Sequence, residues 1–118
     1  MNLIFKICGE AEWRAAERRG VYRGSSVDER DGFIHFSTAD QLAGTAAMHF
    51  AGRDDLLLIA VEAAALGVEL RFEPSRGGAL FPHLYGSLPL SAVRFVEAMP
   101  LGADGRHRLP PRERLRVP

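Results

Sequence analysis

Two short stretches of the chain carry residue types that can hold and polarise a small polar molecule: Gly32-Phe33-Ile34-His35-Phe36-Ser37-Thr38 and Phe81-Pro82-His83-Leu84-Tyr85-Gly86. Side chains alternate between faces along an extended segment. In the first stretch Ile34 and Phe36 therefore point one way, and Phe33, His35 and Ser37 the other. His35 and Ser37 then stand side by side, about 7 Å apart, at the end of a strand that runs into a helix opened by Thr38. Backbone N–H groups at a helix start attract anions. An imidazole, a hydroxyl and that helix start together suit a phosphate or a sugar hydroxyl. In the second stretch Phe81, His83 and Tyr85 share a face, where rings can stack on a planar group and bond to its polar edges.

Each feature also has a plainer reading. A histidine in a strand is most often structural, and it is the matching parity of two such segments that makes the pair a candidate. Glu73 ends an alternating strand and Arg76 follows in the Pro74-Ser75-Arg76-Gly77-Gly78 loop; a solvated acid is the ordinary alternative for Glu73, and for Glu97 a structural one. His49, late in a helix, and His107 read as surface groups, and Cys8 as a small buried hydrophobe. A metal site from His35, His83 and Glu73 is a further alternative, but metal motifs usually show short local spacings, and no metal is expected. The phosphate-loop, dinucleotide-fingerprint, zinc-protease, C-x-x-C and nucleophile-elbow patterns are all absent.

The elements that must position these groups follow from pattern. Leu3 to Ile7 reads as a strand broken by Gly9. Glu10 to Arg19 reads as a helix with acids early and arginines late, which suits the helix dipole, with Trp13 and Ala16 on its buried face and Gly20 at its end. Tyr22 to Gly32 reads as a loop and Phe33 to Phe36 as a strand. Thr38 and Gln41 form a capping-box pattern ahead of a helix whose apolar stripe is Leu42, Ala46 and Phe50, closed by Gly52. The unbroken run Leu56 to Val61 predicts a central strand buried on both faces. Glu69 to Glu73 alternates, with Leu70 and Phe72 opposite Glu69, Arg71 and Glu73. Pro82 cannot donate to a sheet ladder, which places Phe81 to Tyr85 at an edge or in an irregular strand. Ala92 to Ala98 is the last strand. With strands outnumbering helices and the helices early, an α+β domain is expected, with a small mixed or antiparallel sheet and two early helices.

The totals bound the function classes. The 118 residues are one domain's worth: residues 1–100 form the single α+β domain and 101–118 a tail or loosely docked extension. A lone cysteine excludes an internal disulfide, no apolar run approaches a membrane span, and the start is not patterned as a signal peptide; a cytoplasmic location is expected. Net charge is zero, but residues 1–100 hold ten Lys and Arg against thirteen Asp and Glu, and 101–118 hold five against two. A mildly acidic body does not suit nucleic-acid binding, so nucleic acid and membrane are not expected partners.

The run Gly-Phe-Ile-His-Phe-Ser-Thr, then Gln41, then Phe-Pro-His-Leu-Tyr-Gly, resembles the small bacterial family known as domain of unknown function 952, over roughly residues 3 to 100. The resemblance implies a fold similar to that of the ADP-ribosyltransferases. In that superfamily a strand-borne histidine followed by a hydroxyl residue holds the riboses and nicotinamide of NAD, and His35 and Ser37 match this pattern. Tyr85 is a counterpart of the residue that supports the nicotinamide from a second strand. A glutamate often completes the set; neither Glu73 nor Glu97 sits in a recognisable motif. Relatives on that fold that act on RNA 2′-phosphates rely on His and Arg, a role His35, His83 and Arg76 would suit. The resemblance thus implies a nucleotide ligand, with His35, His83 and Glu73 as catalytic candidates and His35, Ser37, Thr38, Arg76 and Tyr85 as groups that bind NAD as substrate. The alternative is a non-catalytic module that binds another small ligand or a protein through the same cleft.

Overall fold

The computed structural model of the chain describes residues 2–115. Along the sequence it runs β1 (Leu3–Gly9), α1 (Glu10–Arg19), β2 (Val21–Tyr22), α2 (Ser26–Asp31), β3 (Ile34–His35), α3 (Leu42–His49), β4 (Leu56–Glu62), β5 (Leu70–Pro74), β6 (Leu80–Leu84), β7 (Leu88–Pro89), β8 (Val93–Ala98) and α4 (Arg112–Leu115). The strands form three antiparallel sheets: β1-β4-β8, β2-β7 and β3-β6-β5. The α+β class expected from the sequence is the one observed.

The apolar run Leu56 to Val61 becomes the central strand β4, with every residue buried. Alternation explains why no polar residue interrupts it. Leu57, Ile59 and Val61 join one apolar cluster, with Trp13, Tyr22 and Leu84. Leu56, Leu58 and Ala60 join a second, with Phe5, Leu42 and Ala46. Its neighbours are antiparallel strands, so burial on both faces here comes from helices and loops on each side and not from parallel crossovers. α1 carries Glu10 and Glu12 in its first turn and Arg18 and Arg19 in its last, complementing the helix dipole. Gly20 ends it at φ 88°, a left-handed conformation that glycine adopts without a Cβ clash.

The two larger sheets meet at one bridge. Phe5 N–H donates to Ser37 O and Ser37 N–H to Phe5 O, each at 2.8 Å. From this seam the sheets diverge and leave a cleft between β1 and the end of β3.

Several sequence expectations change. The stretch Tyr22 to Gly32 is not a plain loop: it holds β2 and the six-residue helix α2, so the early helices are three and not two. β3 covers only Ile34 and His35. α3 ends at His49, and Gly52, at φ 80°, lies in the turn beyond it. β6 is the centre of its sheet and not an edge. Pro82 is tolerated there because its C=O accepts from Phe36 N at 2.9 Å. A residue's N and C=O point to the same flank of a strand, so the missing N–H falls just past the end of the very short β3. Phe72, opposite Pro82 on β5, is half exposed.

Residues 99–115 lie against the second cluster. Met99 and Leu115 are buried within it and Leu109 packs on it. Arg112 pairs with Asp40 at 2.8 Å, and Arg114 pairs with Glu97 and covers the Phe95 ring. His107 Nε2 donates to Arg53 O at 2.7 Å. Residues 116–118 of the expected extension lie outside the described residues.

Trp13 is 1% exposed and its ring centroid lies 5.5 Å from that of Tyr22. Trp13→Ala should cost about 3–5 kcal/mol, read as a lowered midpoint in urea denaturation. A loss under about 1 kcal/mol would show that α1 does not anchor the first cluster.

Candidate functional site

The site is assembled around a buried aspartate. Ser25 and Asp28 form a capping box at the start of α2: Ser25 Oγ accepts from Asp28 N at 3.2 Å, and Asp28 Oδ2 accepts from Ser25 N at 2.8 Å. Gly24, at φ 103°, lets the chain pass close by, since a Cβ there would lie 2.7 Å from that of Asp28. The Asp28 carboxylate does more than cap. It accepts from Lys6 Nζ at 2.7 Å, from His35 N at 3.1 Å and from His35 Nδ1 at 2.6 Å. Lys6 Nζ also donates to His35 O at 3.1 Å. The aspartate and the lysine are both buried, and Lys6 is the chain's only lysine. Burial alone would raise the Asp28 carboxyl. The hydrogen bond from His35, the charge and hydrogen bond of Lys6 and the Ser25 N–H outweigh it and hold the group well below the usual carboxylate range.

Strand register places the histidines. β3 and β6 pair His35 with His83, and β5 and β6 pair Arg71 with His83 and Glu73 with Phe81. Directly paired residues share a face, so His35, His83, Arg71 and Glu73 all project to one side. Phe33 lies among them, stacked on His83 with centroids 4.1 Å apart, 4.5 Å from His35 and 5.2 Å from Tyr85. Glu73 Oε1 accepts from Tyr85 OH at 2.7 Å and from His83 Nδ1 at 2.8 Å. The tyrosine bond and then the histidine bond lower the Glu73 carboxyl, and the Glu73 bond in turn raises the Tyr85 phenol. Arg71 lies over the Tyr85 ring at 4.9 Å.

Both ring nitrogens of His35 face carboxylates, since Nε2 is 3.0 Å from Asp31 Oδ2. A neutral imidazole has one N–H; donating to both aspartates takes the imidazolium. His83 differs: Glu73 fixes Nδ1, and Nε2 has no protein partner among the described residues.

The cleft beside these groups has a volume of about 700 Å³, and Lys6, Asp28, Asp31, His35, Ser37 and His83 line it. Of the residues singled out in the sequence, His35, Ser37 and His83 therefore share one hollow. Tyr85 and Glu73 stand behind His83 and reach the cleft through it. Ser37 is buried, with Oγ 2.9 Å from Thr45 Oγ1. Thr38 is not on the cleft wall, and its N–H donates to Gln41 Oε1 at 3.0 Å, so this helix start already has its own acceptor. The Arg76 side chain lies outside the described residues. Glu97 is remote, paired with Arg114. Cys8 lines the cleft, but burial, with the charge of Glu12 next, pushes its thiol up to about 12. Among the described residues no group of three or more His, Cys, Asp or Glu is arranged to hold a metal ion.

Sequence reasoning missed Asp28, Asp31 and Lys6. One signal was available: Ser25-x-x-Asp28 is the short form of a capping box, sitting in a stretch read as a loop.

A family model described as "Protein of unknown function (DUF952)" matches residues 7–96. Three solved structures of protein CC0527 from Caulobacter crescentus are similar to this chain. Its crystal structure is 48% identical with a TM-score of 0.89, over 98% of this chain and 99% of that one. The crystal structure of a double mutant is 46% identical with a TM-score of 0.89 over the same shares. The solution structure is 51% identical with a TM-score of 0.81, over 90% of this chain and 91% of that one. No curated protein matches the sequence.

Two outcomes follow from the burial in this site. The Asp28 carboxyl sits below its unfolded value, so its contribution to stability is present above that value, about pH 4, and is lost as pH falls through the folded value. Urea denaturation should show stability declining below about pH 4, and Asp28→Asn should lack that part of the decline. At neutral pH the same substitution should cost about 3–5 kcal/mol, because it leaves the Lys6 ammonium buried and unpaired. Cys8, with its thiol at about 12, should react with a disulfide reagent at mildly alkaline pH only as fast as the protein unfolds; rapid labelling of folded protein would contradict its burial.

Proposed function

The chain belongs to the DUF952 family, and from that premise and the geometry of its own site we propose that it binds a nucleotide of the NAD class in the cleft beside His35 and His83, as a domain of the ADP-ribosyltransferase type. The observation that carries the reading is the convergence of Phe33, His35, His83 and Tyr85 on one face, with both imidazoles oriented by carboxylates, beside a cleft of about 700 Å³. That volume suits a small-molecule ligand, and apolar walls with a few fixed polar groups are typical of such sites. In this reading the imidazoles of His35 and His83, which line the cleft with Ser37, meet the ligand's polar groups, and Phe33 packs on both imidazoles to support them.

Transfer chemistry on such a ligand breaks the bond between ribose and nicotinamide. Nicotinamide leaves with the bonding electron pair, an acceptor hydroxyl adds to the sugar carbon, and the acceptor's proton is taken up by a base. Positive charge builds on the sugar as in glycoside hydrolysis, and a carboxylate nearby stabilises it. His83 lines the cleft with Nδ1 held by Glu73, and in this reading its other ring nitrogen is the proton acceptor. Glu73 acts through His83 in this arrangement, a positioning role and not direct contact.

One observation favours a second reading, a non-catalytic module that holds a small ligand. The Asp28 and Glu73 carboxylates are both engaged by the protein's own groups, which serves orientation better than charge stabilisation on a substrate.

Calorimetric titration with NAD tests the proposal. The unmutated protein should bind at submillimolar NAD, and His35→Ala should weaken binding by about tenfold or more, the loss of a charge-assisted hydrogen bond. No heat of binding at millimolar NAD would reject it.

A further inference from the structure

We propose that Asp31 is an internal competitor for the ligand-facing nitrogen of His35, so that the cleft becomes competent to bind through the rotation of one side chain. This regulation belongs to the site above, and its ligand-binding half rests on that reading. His35 Nδ1 is committed to Asp28 at 2.6 Å, which leaves Nε2 to meet a ligand, and Asp31 Oδ2 stands 3.0 Å from it. Any hydroxyl, phosphate or carboxylate oxygen that binds Nε2 must take the place this oxygen holds.

The two aspartates are unequal. Asp28 is 2% exposed and bound by Lys6, Ser25 and His35; it cannot leave without stranding a buried ammonium. Asp31 is the last residue of α2 and its side chain is 34% exposed. Gly32 follows at φ 87°, with nothing within 4 Å of where a Cβ would be, so there is open space at this corner. Asp31 Oδ1 keeps a contact with Arg30 Nε at 3.3 Å, also on the exposed side. A partly exposed ion pair contributes little to stability, so an incoming oxygen can displace it with the backbone still.

Displacement also changes what the ring offers. With Asp31 in place, Nε2 serves as a donor to a carboxylate. With Asp31 swung away, the Asp28 bond still holds a proton on Nδ1, and Nε2 can accept from a ligand hydroxyl or, as the imidazolium, donate to an anionic oxygen. Asp31 thus excludes ligands that cannot supply an oxygen-bearing group to replace it.

The test separates the competitor from the identity of the ligand. Ligand-free protein is treated with diethyl pyrocarbonate near neutral pH, and acylation of each histidine is followed by peptide mass mapping, with the exposed His49 as internal control. Asp31→Ala should speed acylation of His35 by about fivefold and leave His49 unchanged; Asp31→Asn, which keeps a neutral acceptor, should fall between. In parallel titrations Asp31→Ala should bind NAD on the order of threefold tighter than the parent. An unchanged His35 rate in both variants overturns the proposal whatever NAD does. Faster acylation with no NAD binding by any variant supports the competitor and rejects the nucleotide. Faster acylation with NAD bound no more tightly overturns the proposal, because the freed nitrogen would then not be the one the ligand uses.

Discussion

One buried carboxylate holds three parts of this molecule in register. Asp28 takes hydrogen bonds from a strand of the first sheet through Lys6, from the start of α2 through Ser25, and from β3 through both the backbone and the ring of His35. A charge this deeply buried persists only when paired and hydrogen-bonded, and here four donor groups satisfy it. Removing any one partner leaves the others short, so the cluster specifies a single arrangement. The fold and the candidate site therefore share one determinant: the same contacts that fix β1 against β3 also fix the ring of His35.

Around that anchor the site is largely satisfied from within. Phe33 fills the space between His83 and Tyr85, Glu73 ties those two together, and Arg71 covers the phenol. Such a network is rigid because its members have few alternative partners. The ring of His83 on the cleft wall is therefore held in one orientation. The seam between Phe5 and Ser37 has a related effect. Among the described residues it joins the sheets by two backbone hydrogen bonds at one point, and the hollow lined by Phe5 and Ser37 opens beside it.

Much of this was legible in the sequence because strand alternation is a local rule. It put Phe33, His35 and Ser37 on one side and His83 with Tyr85 on one side, and it placed Arg71 and Glu73 together on β5. It also marked Leu56 to Val61 as doubly buried. The glutamine of the expected capping box does reach back, to the Thr38 N–H. What was not legible depends on distance along the chain. Lys6 and Asp28 are 22 residues apart, and nothing near either announces the other. α2 is six residues long, too short for a helical period to show. The edge expectation for Pro82 rested on the rule that proline lacks a donor; the rule held, but the partner strand ends before a donor is needed. No local pattern encodes where a neighbouring strand stops.

The burial of Lys6 has a consequence for the outside of the molecule. It is the sole lysine, and 6% of it reaches solvent. The outer positive charge is thus carried by guanidinium groups, which keep their charge across the physiological range and are poor nucleophiles. Acetylation, ubiquitin-like conjugation and amine-directed crosslinking find no side-chain handle on the folded form. A lysine-specific protease likewise meets its one cleavage point only in chains that have already come undone, which makes scission after residue 6 a direct report of opening.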